Sequence, residues 1–406
     1  MSFHLFEVFG IELEYMLVNK KDLKISPKVD RLMILKTGEI TSDVDNGKIE
    51  WSNELVAHVI ELKTNGPTAD LESLDKLFSE NIAEVNILLD KEDLMLLPTA
   101  SHPLMNPETE MKLWEHSYSK IYALYNRIFD CRGHGWSNLQ SMHINLPFFD
   151  DTEFEKLHAA IRILLPIIPG LSASSPIFEK QFTGFKNARM QVYKTNQKEI
   201  PEMTGKVIPE QVFSREEYHH KIFDPINKAV KPYDTEKILD HHFLNSRGAI
   251  ARFDRKAIEI RVIDIQECPA ADIAIAVLII ETLKLLAGEE LVSLADQKAW
   301  HEDELFSIFN EVIIDAEETV IHNDRYLALF DIQGSCTAGE LWFSIYSRVK
   351  AEISAKHRNT LELLLKNGSL STRIMKALEG DLSEENIQKV YHQLGNCLAK
   401  NELFIP

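Results

Sequence analysis

A chain of 406 residues can bury a large core, and its 45% apolar content is that of an ordinary globular protein, with no tract poor enough in apolar residues to predict disorder. With 44 Lys and Arg against 63 Asp and Glu, a formal charge of −19, it lacks the clustered cations that a general nucleic-acid binder needs. The same carboxylate excess is compatible with a nucleotide substrate, which brings its own metal countercharge.

The start, Met1-Ser2-Phe3-His4-Leu5-Phe6-Glu7, has neither a basic n-region nor an apolar h-region, so no signal peptide is expected. Phe9-Gly10-Ile11-Glu12-Leu13-Glu14-Tyr15-Met16-Leu17-Val18 then reads as a strand. Its period of two puts Ile11, Leu13 and Tyr15 on one face and Glu12 and Glu14 on the other. Carboxylates at i and i+2 lie roughly 7 Å apart on a pleated strand, close enough to hold neighbouring cations that share a ligand. Residues 19–23 read as a turn, and Asp45-Asn46-Gly47 as the turn of a polar hairpin. The stretch 49–64 reads as partly extended and carries Glu54 and Glu61, seven apart. That odd offset puts them on opposite faces of an unbroken strand, so sharing a site needs a bulge or turn between them.

A helix is expected from about 70 to 89, a short strand at 94–97 and a second helix over 113–129. Gln140-Ser141-Met142-His143-Ile144-Asn145-Leu146 alternates, with Ser141, His143 and Asn145 on the polar side. A histidine there is available as a metal ligand or phosphate donor. The next helix, 151–165, is expected to be capped by Asp151 or Thr152.

Ser172-Ala173-Ser174-Ser175-Pro176 and Thr183-Gly184-Phe185-Lys186-Asn187-Ala188-Arg189 follow as small-residue loops. In the second, Arg189 is a candidate clamp for a carboxylate or phosphate. Arg247 and Arg252 lie just upstream of Ala257-Ile258-Glu259-Ile260-Arg261-Val262-Ile263-Asp264, where Glu259 and Arg261 share a face opposite Ile258, Ile260 and Val262. Four arginines near an acidic site suggest anionic substrates, since phosphoryl transfer relies on metals and fixed positive charge. No P-loop or dinucleotide-binding glycine fingerprint is present.

Beyond Pro269 long amphipathic helices are expected at 270–288, 302–323 and 339–366. The first is interrupted by Asp272, Glu281 and Lys284 and reads as a core helix rather than a membrane span. Cys131, Cys268, Cys336 and Cys397 are scattered and fit reduced, buried thiols, so a cytoplasmic location is expected. Taken singly, each charged segment is equally an amphipathic strand with a solvated face.

In this order the segments resemble the second family of glutamate–cysteine ligases, the bacterial and plant-type group that includes carboxylate–amine ligases. Its G-[VI]-E-x-E strand is matched by Gly10 to Glu14, and its E-L-x5-E-x2-T segment by Glu54 to Thr64. Ser101-His102-Pro103 looks like its T-H-P turn, and Gln140 to His143 like its Q-x-x-H strand. Ser172 to Pro176 and Thr183 to Arg189 look like its S-A-x-S-P and T-G-[FY]-x-x-x-R elements, and Glu259 to Asp264 like its E-[VI]-R-[VI]-x-D strand. The likeness covers roughly residues 8–285. Two positions depart from the pattern: the usual H-x-H is Ser141-Met142-His143, and Asn145 stands where glycine is common.

The resemblance implies an α+β, glutamine-synthetase-like fold, in which a curved antiparallel sheet forms a funnel covered outside by helices. One catalytic domain is expected over 1–406, with a sheet-bearing core to about 290 and a helical part from 291. The resemblance further implies ATP and two or three magnesium ions, or manganese, held by Glu12, Glu14, Glu54, Glu61, His143 and Glu259. It assigns Arg261 and Arg189 to catalysis, and Arg247, Arg252, Gln140 and Thr183 to substrate or ATP. The implied activity is ATP-dependent amide formation through an acyl phosphate, with glutamate and cysteine the leading substrates and glutathione biosynthesis the setting. A phosphotransferase of the same fold and a non-catalytic nucleotide- or amino-acid-binding regulator remain alternatives. Partners are expected to be small molecules, with no nucleic acid or membrane, and homo-oligomerisation is left open.

Overall fold

The computed structural model describes residues 2–239 and 241–406. Its centre is an eight-stranded antiparallel sheet built from β1 (Gly10–Asn19), β2 (Asp43–Asn46), β3 (Ile49–Asn53), β4 (Val59–Thr64), β5 (Leu94–Leu97), β6 (Ser141–Pro147), β7 (Ala249–Arg252) and β8 (Ala257–Asp264). The order is β2-β3-β4-β1-β6-β8-β7, and β5 extends the far end of β1. The expected α+β architecture is therefore present. β2 and β3 form the hairpin signalled by Asn46-Gly47, with Gly47 at φ +80°, where the missing side chain avoids strain.

The apolar face carries Ile11, Leu13, Tyr15, Trp51, Leu62 and Ile144, all fully buried. Over it lie α1 (Leu74–Asp90), α2 (Asp151–Leu164) and α3 (Pro269–Ala287). Each such side chain contributes about 1.5–3 kcal/mol of burial free energy. The cap of α2 is Asp150, whose carboxylate accepts from Glu153 N at 3.0 Å, one residue before the expected positions. α3 is buried almost all round, as a core helix should be. No described helix is long and apolar enough to cross a membrane. All four cysteines are free.

The charged face of β1 changes character along its length. After Glu12 and Glu14 come Met16 and Val18, both fully buried under α4 (Leu370–Leu378) and α5 (Glu384–Lys400). Both fall in the helical part expected from 291, although the sequence did not bound them, and they close one end of the sheet's polar side. Arg373 of α4 forms a buried ion pair with Glu267, which also accepts from Phe404 N at 3.2 Å, tying the C-terminal segment to the strand-to-α3 turn.

Other boundaries moved for local reasons. The helix expected over 302–323 stops at Asp315, because Ala316 takes φ +48°. The one expected over 339–366 is two helices, Ala338–Val349 and Ala355–Asn367, the second capped by Ser354. That expected over 113–129 begins at Ser119. A helix at Val29–Thr37, buried through Val29, Leu32 and Met33, was not foreseen.

His158 of α2 is fully buried, stacked on Phe154 with centroids 5.3 Å apart. Burial, then the Arg162 charge, pushes its imidazole down to about 3. The unfolded chain therefore binds this proton first, near pH 6.5, and folding stability falls as pH drops below that value. Between pH 7 and pH 5 this one group should cost about 2 kcal/mol. His158→Phe is expected to lose that part of the acid sensitivity in urea denaturation at the two pH values; an unchanged difference would place the sensitivity elsewhere.

Candidate active site

Strand register brings the predicted carboxylates together. Across β1 and β6 Glu12 pairs with His143, and across β1 and β4 Glu14 pairs with Glu61 and Glu12 with Lys63. Across β6 and β8 Glu259 pairs with Asn145. Cross-strand partners point to the same side, so Glu12, Glu14, Glu61, His143 and Glu259 share one polar face. Gly10 lies opposite Asn145, and an added Cβ there would meet Asn145 Cβ at 3.0 Å.

Glu14 Oε2 accepts from Ser141 N at 2.6 Å and Ser141 Oγ at 3.0 Å, and that hydroxyl is 2.9 Å from His143 Nε2. Glu12 Oε2 is 2.8 Å from His143 Nδ1, and Glu12 Oε1 accepts from Asn145 Nδ2 at 2.9 Å. The two departures from the family pattern, Ser141 and Asn145, thus orient three of the predicted ligands. Glu259 Oε1 lies 3.0 Å from Arg261 Nε and 3.7 Å from His143 Nδ1. β3 ends at Asn53, so the odd offset is resolved by a turn at 54–58. Glu54 sits half-buried just past the strand end.

Two groups have ligand atoms within 4.8 Å of one another: Glu12, His143 and Glu259, and Glu14, Glu61 and His143. Burial raises the Glu14 carboxyl, and the nearby Glu61 charge adds to it. Glu54 is raised well above the usual carboxylate range, first by burial and then by Glu61 and Glu14. Burial, then Arg261, lowers His143, which favours the neutral imidazole that a metal ligand must be. A buried, mutually repelling set of hard oxygen donors with one imidazole and no thiolate fits magnesium or manganese and not structural zinc.

The arginines divide. Among the described residues the two terminal nitrogens of Arg261 make no hydrogen bond, so its fork is open beside Glu259. Arg252 lies 3.9 Å from Glu259 and also holds Asp254 at 3.1 Å.

Arg189 and Arg247 were expected to handle anions, and the structure commits both elsewhere. Arg189 Nε is 2.5 Å from Asp264 Oδ1, and its Nη2 donates to the Arg261 carbonyl at 3.2 Å. Asp264 reaches this position through a bulge between Ile260 and Ile263, which sets Asp264 opposite Ser141. Strict alternation would send it to the apolar side. Arg247 is held by Glu210 at 2.6 Å through both Nε and Nη2 and donates to Asn245 Oδ1 at 3.0 Å.

Gln140 is fully buried one residue off the Ser141/His143 parity, and Thr183 bonds the carbonyls of Pro176 and Phe185 within its own turn. Neither touches the carboxylate cluster among the described contacts. Arg189→Ala would strand the buried Asp264 charge and is expected to cost about 3–5 kcal/mol of stability in denaturant titration. Lost turnover with stability intact would instead return Arg189 to substrate binding.

Sequence reasoning missed Lys63 and Ser52, both bonded to Glu61, although Lys63 shares Glu61's parity two residues on. It also missed Tyr122, which is 3.3 Å from Asn53 Nδ2 and is pushed up by burial and by Glu54.

The sequence pattern of glutamate-cysteine ligase family 2 matches residues 8–393. An uncharacterized protein of Archaeoglobus fulgidus is 29% identical over 98% of this chain and all of its own length. A Bradyrhizobium protein provisionally named glutamate–cysteine ligase 2 is 27% identical over 66% of this chain and 59% of its own. Among solved structures, the glutamate–cysteine ligase of Francisella tularensis in complex with AMP superposes with a TM-score of 0.61 at 14% identity, covering 97% of this chain and 89% of that one. A bifunctional glutathione synthetase from Pasteurella multocida gives 0.63 at 12% identity over 98% of this chain, which spans about half (53%) of the larger protein. At these identities the structural likeness establishes the fold.

Proposed function

The chain belongs to glutamate-cysteine ligase family 2, and on that premise we propose that it is an ATP-dependent carbon–nitrogen ligase joining an amino-acid carboxylate to an amine. The carrying observation is the convergence of Glu12, Glu14, Glu61, His143 and Glu259 on one sheet face beside the free fork of Arg261. One apolar cluster that takes residues from Phe9 to Leu364, together with Leu398, supports one catalytic domain.

In the proposed reaction a substrate carboxylate oxygen attacks the γ-phosphorus of ATP, the bond to the bridging oxygen breaks, and ADP leaves. The amine then attacks the acyl carbon, phosphate departs with the C–O bond electrons, and the amine loses a proton to give the amide. Magnesium or manganese held by Glu12, His143 and Glu259 and by Glu14, Glu61 and His143, with Glu54 beside the second group, would neutralise the ATP phosphates. Ser141 and Asn145 keep Glu14, His143 and Glu12 oriented. Arg261, steadied through Glu259, presents its terminal nitrogens to the charge on the transferring phosphoryl group. The leading acid is glutamate, whose two carboxylates and ammonium can be told apart by an arginine fork and an acidic pocket, and the leading amine is cysteine.

The test measures ADP and phosphate release with ATP, magnesium and pairs of acid and amine. Release that requires both partners, with glutamate and cysteine preferred, is the expected result. A phosphorylated product without free phosphate would instead make the protein a phosphotransferase. ATP binding with neither product would make it a non-catalytic binding protein.

A further inference from the structure

Lys63 is the cationic side chain in direct contact with a proposed ligand on the β4 side of the cluster. Its ammonium donates to Glu61 Oε2 at 2.9 Å and to Ser52 Oγ at 2.8 Å, and lies 3.3 Å from Glu50 Oε1. Ser52 Oγ donates to the same Glu61 oxygen at 2.8 Å. Register sets Lys63 directly across from Glu12 on one side and Glu50 on the other. The side chain is 26% exposed and Glu61 only 8%, so the pair is more enclosed than an ordinary surface ion pair.

Two of the ammonium protons therefore have hydrogen-bond acceptors, a second carboxylate lies at 3.3 Å, and one oxygen of Glu61 is already filled by two donors. A divalent ion on that oxygen would sit within a few ångströms of a fixed positive charge, and two cations at such a separation repel strongly where water is largely excluded. Glu12 stands across the strand pair from Lys63 but is bonded to His143 and Asn145, and among the described contacts none of Glu12, His143 and Glu259 makes a hydrogen bond or ion pair with a lysine.

We propose that Lys63 is a resident cation of the carboxylate cluster, standing in for one further divalent metal ion on the Glu61 oxygen that its ammonium fills. It acts as a positioning residue that sets how many metal ions accompany ATP. This rests on the metal–nucleotide reading of the site. Five acidic side chains, Glu12, Glu14, Glu54, Glu61 and Glu259, then share their compensation between exchangeable metal and an immovable ammonium. The site would consequently need less free metal to be charged for ATP than one built from carboxylates alone.

The experiment counts bound Mn²⁺ per chain, from the loss of free-ion electron paramagnetic resonance signal, with a non-hydrolysable ATP analogue present. The full chain is compared with Lys63→Met, Lys63→Gln and Lys63→Arg. Both neutral variants are expected to bind one more Mn²⁺ per chain than the parent, and Lys63→Arg the same number as the parent. Lys63→Gln carries the comparison if Lys63→Met does not fold. An unchanged count in the neutral variants overturns the assignment. An absence of Mn²⁺ binding by every protein, the parent included, overturns it together with the metal reading beneath it. The expected counts with no ADP release under any substrate pair would sustain Lys63 and fail only the ligase reading.

Discussion

Glu259→Gln and Glu12→Gln are each expected to reduce turnover by about a thousandfold or more while leaving the protein folded. Both substitutions keep side-chain size and remove the charge that a divalent ion requires. Glu259 is the meeting point of the site, in reach of His143 at 3.7 Å, Arg261 at 3.0 Å and Arg252 at 3.9 Å. Its loss removes one ligand and also frees the arginine that it steadies. Folding should survive, because burial, and then repulsion between neighbouring carboxylates, already disfavours charge on this face, as it does at Glu14 and Glu54. The measurements are ADP release under saturating ATP and metal, and a urea unfolding curve for each variant. An unfolded Glu259→Gln protein would mean that the carboxylate serves the fold, and a folded one with normal turnover would remove it from the site.

Arg261→Lys is expected to cost about 10²–10³-fold in turnover. Lysine retains the charge and can still pair with Glu259, but it cannot satisfy Glu259 through one nitrogen while presenting two others to a phosphoryl oxygen pair. Most of the loss should therefore appear in the rate at saturation, with a smaller change in the ATP concentration needed for half-maximal rate. The same fall with Arg261→Met would show that geometry as well as charge is required. An unchanged rate with lysine would reduce Arg261 to a structural partner of Glu259, leaving Arg252 as the arginine still facing the cluster.

Arg189 and Arg261 illustrate why residue type alone did not sort the arginines. In sequence the two look alike, each a lone arginine after a short patterned segment. One is spent on Asp264, 75 positions away, and the other keeps its fork open. Arg247 is likewise spent on Glu210, 37 positions away. Whether a cation is available depends on which carboxylate the fold delivers to it. The unforeseen seating of the C-terminal helices on the sheet has a related cause. Met16 and Val18 read as the continuation of an ordinary strand, and only the seating of Ile374, Ile387, Val390 and Leu394 against them shows that the polar face has an end wall.

What the sequence by itself determined was the facing of side chains along single strands. Glu12 with Glu14, Ser141 with His143 and Asn145, and Glu259 with Arg261 are grouped by the period of an extended backbone, a covalent property that needs no neighbour. The tertiary structure alone decided what lies across each strand. It set Lys63 beside Glu12 and Glu61 opposite Glu14, and it turned Asp264 toward Arg189 through a bulge. Register and bulges are settled by the packing of the whole apolar face on its helices. A one-residue slip would send each strand's apolar set to the other face, so that choice belongs to the assembled sheet and not to any strand within it.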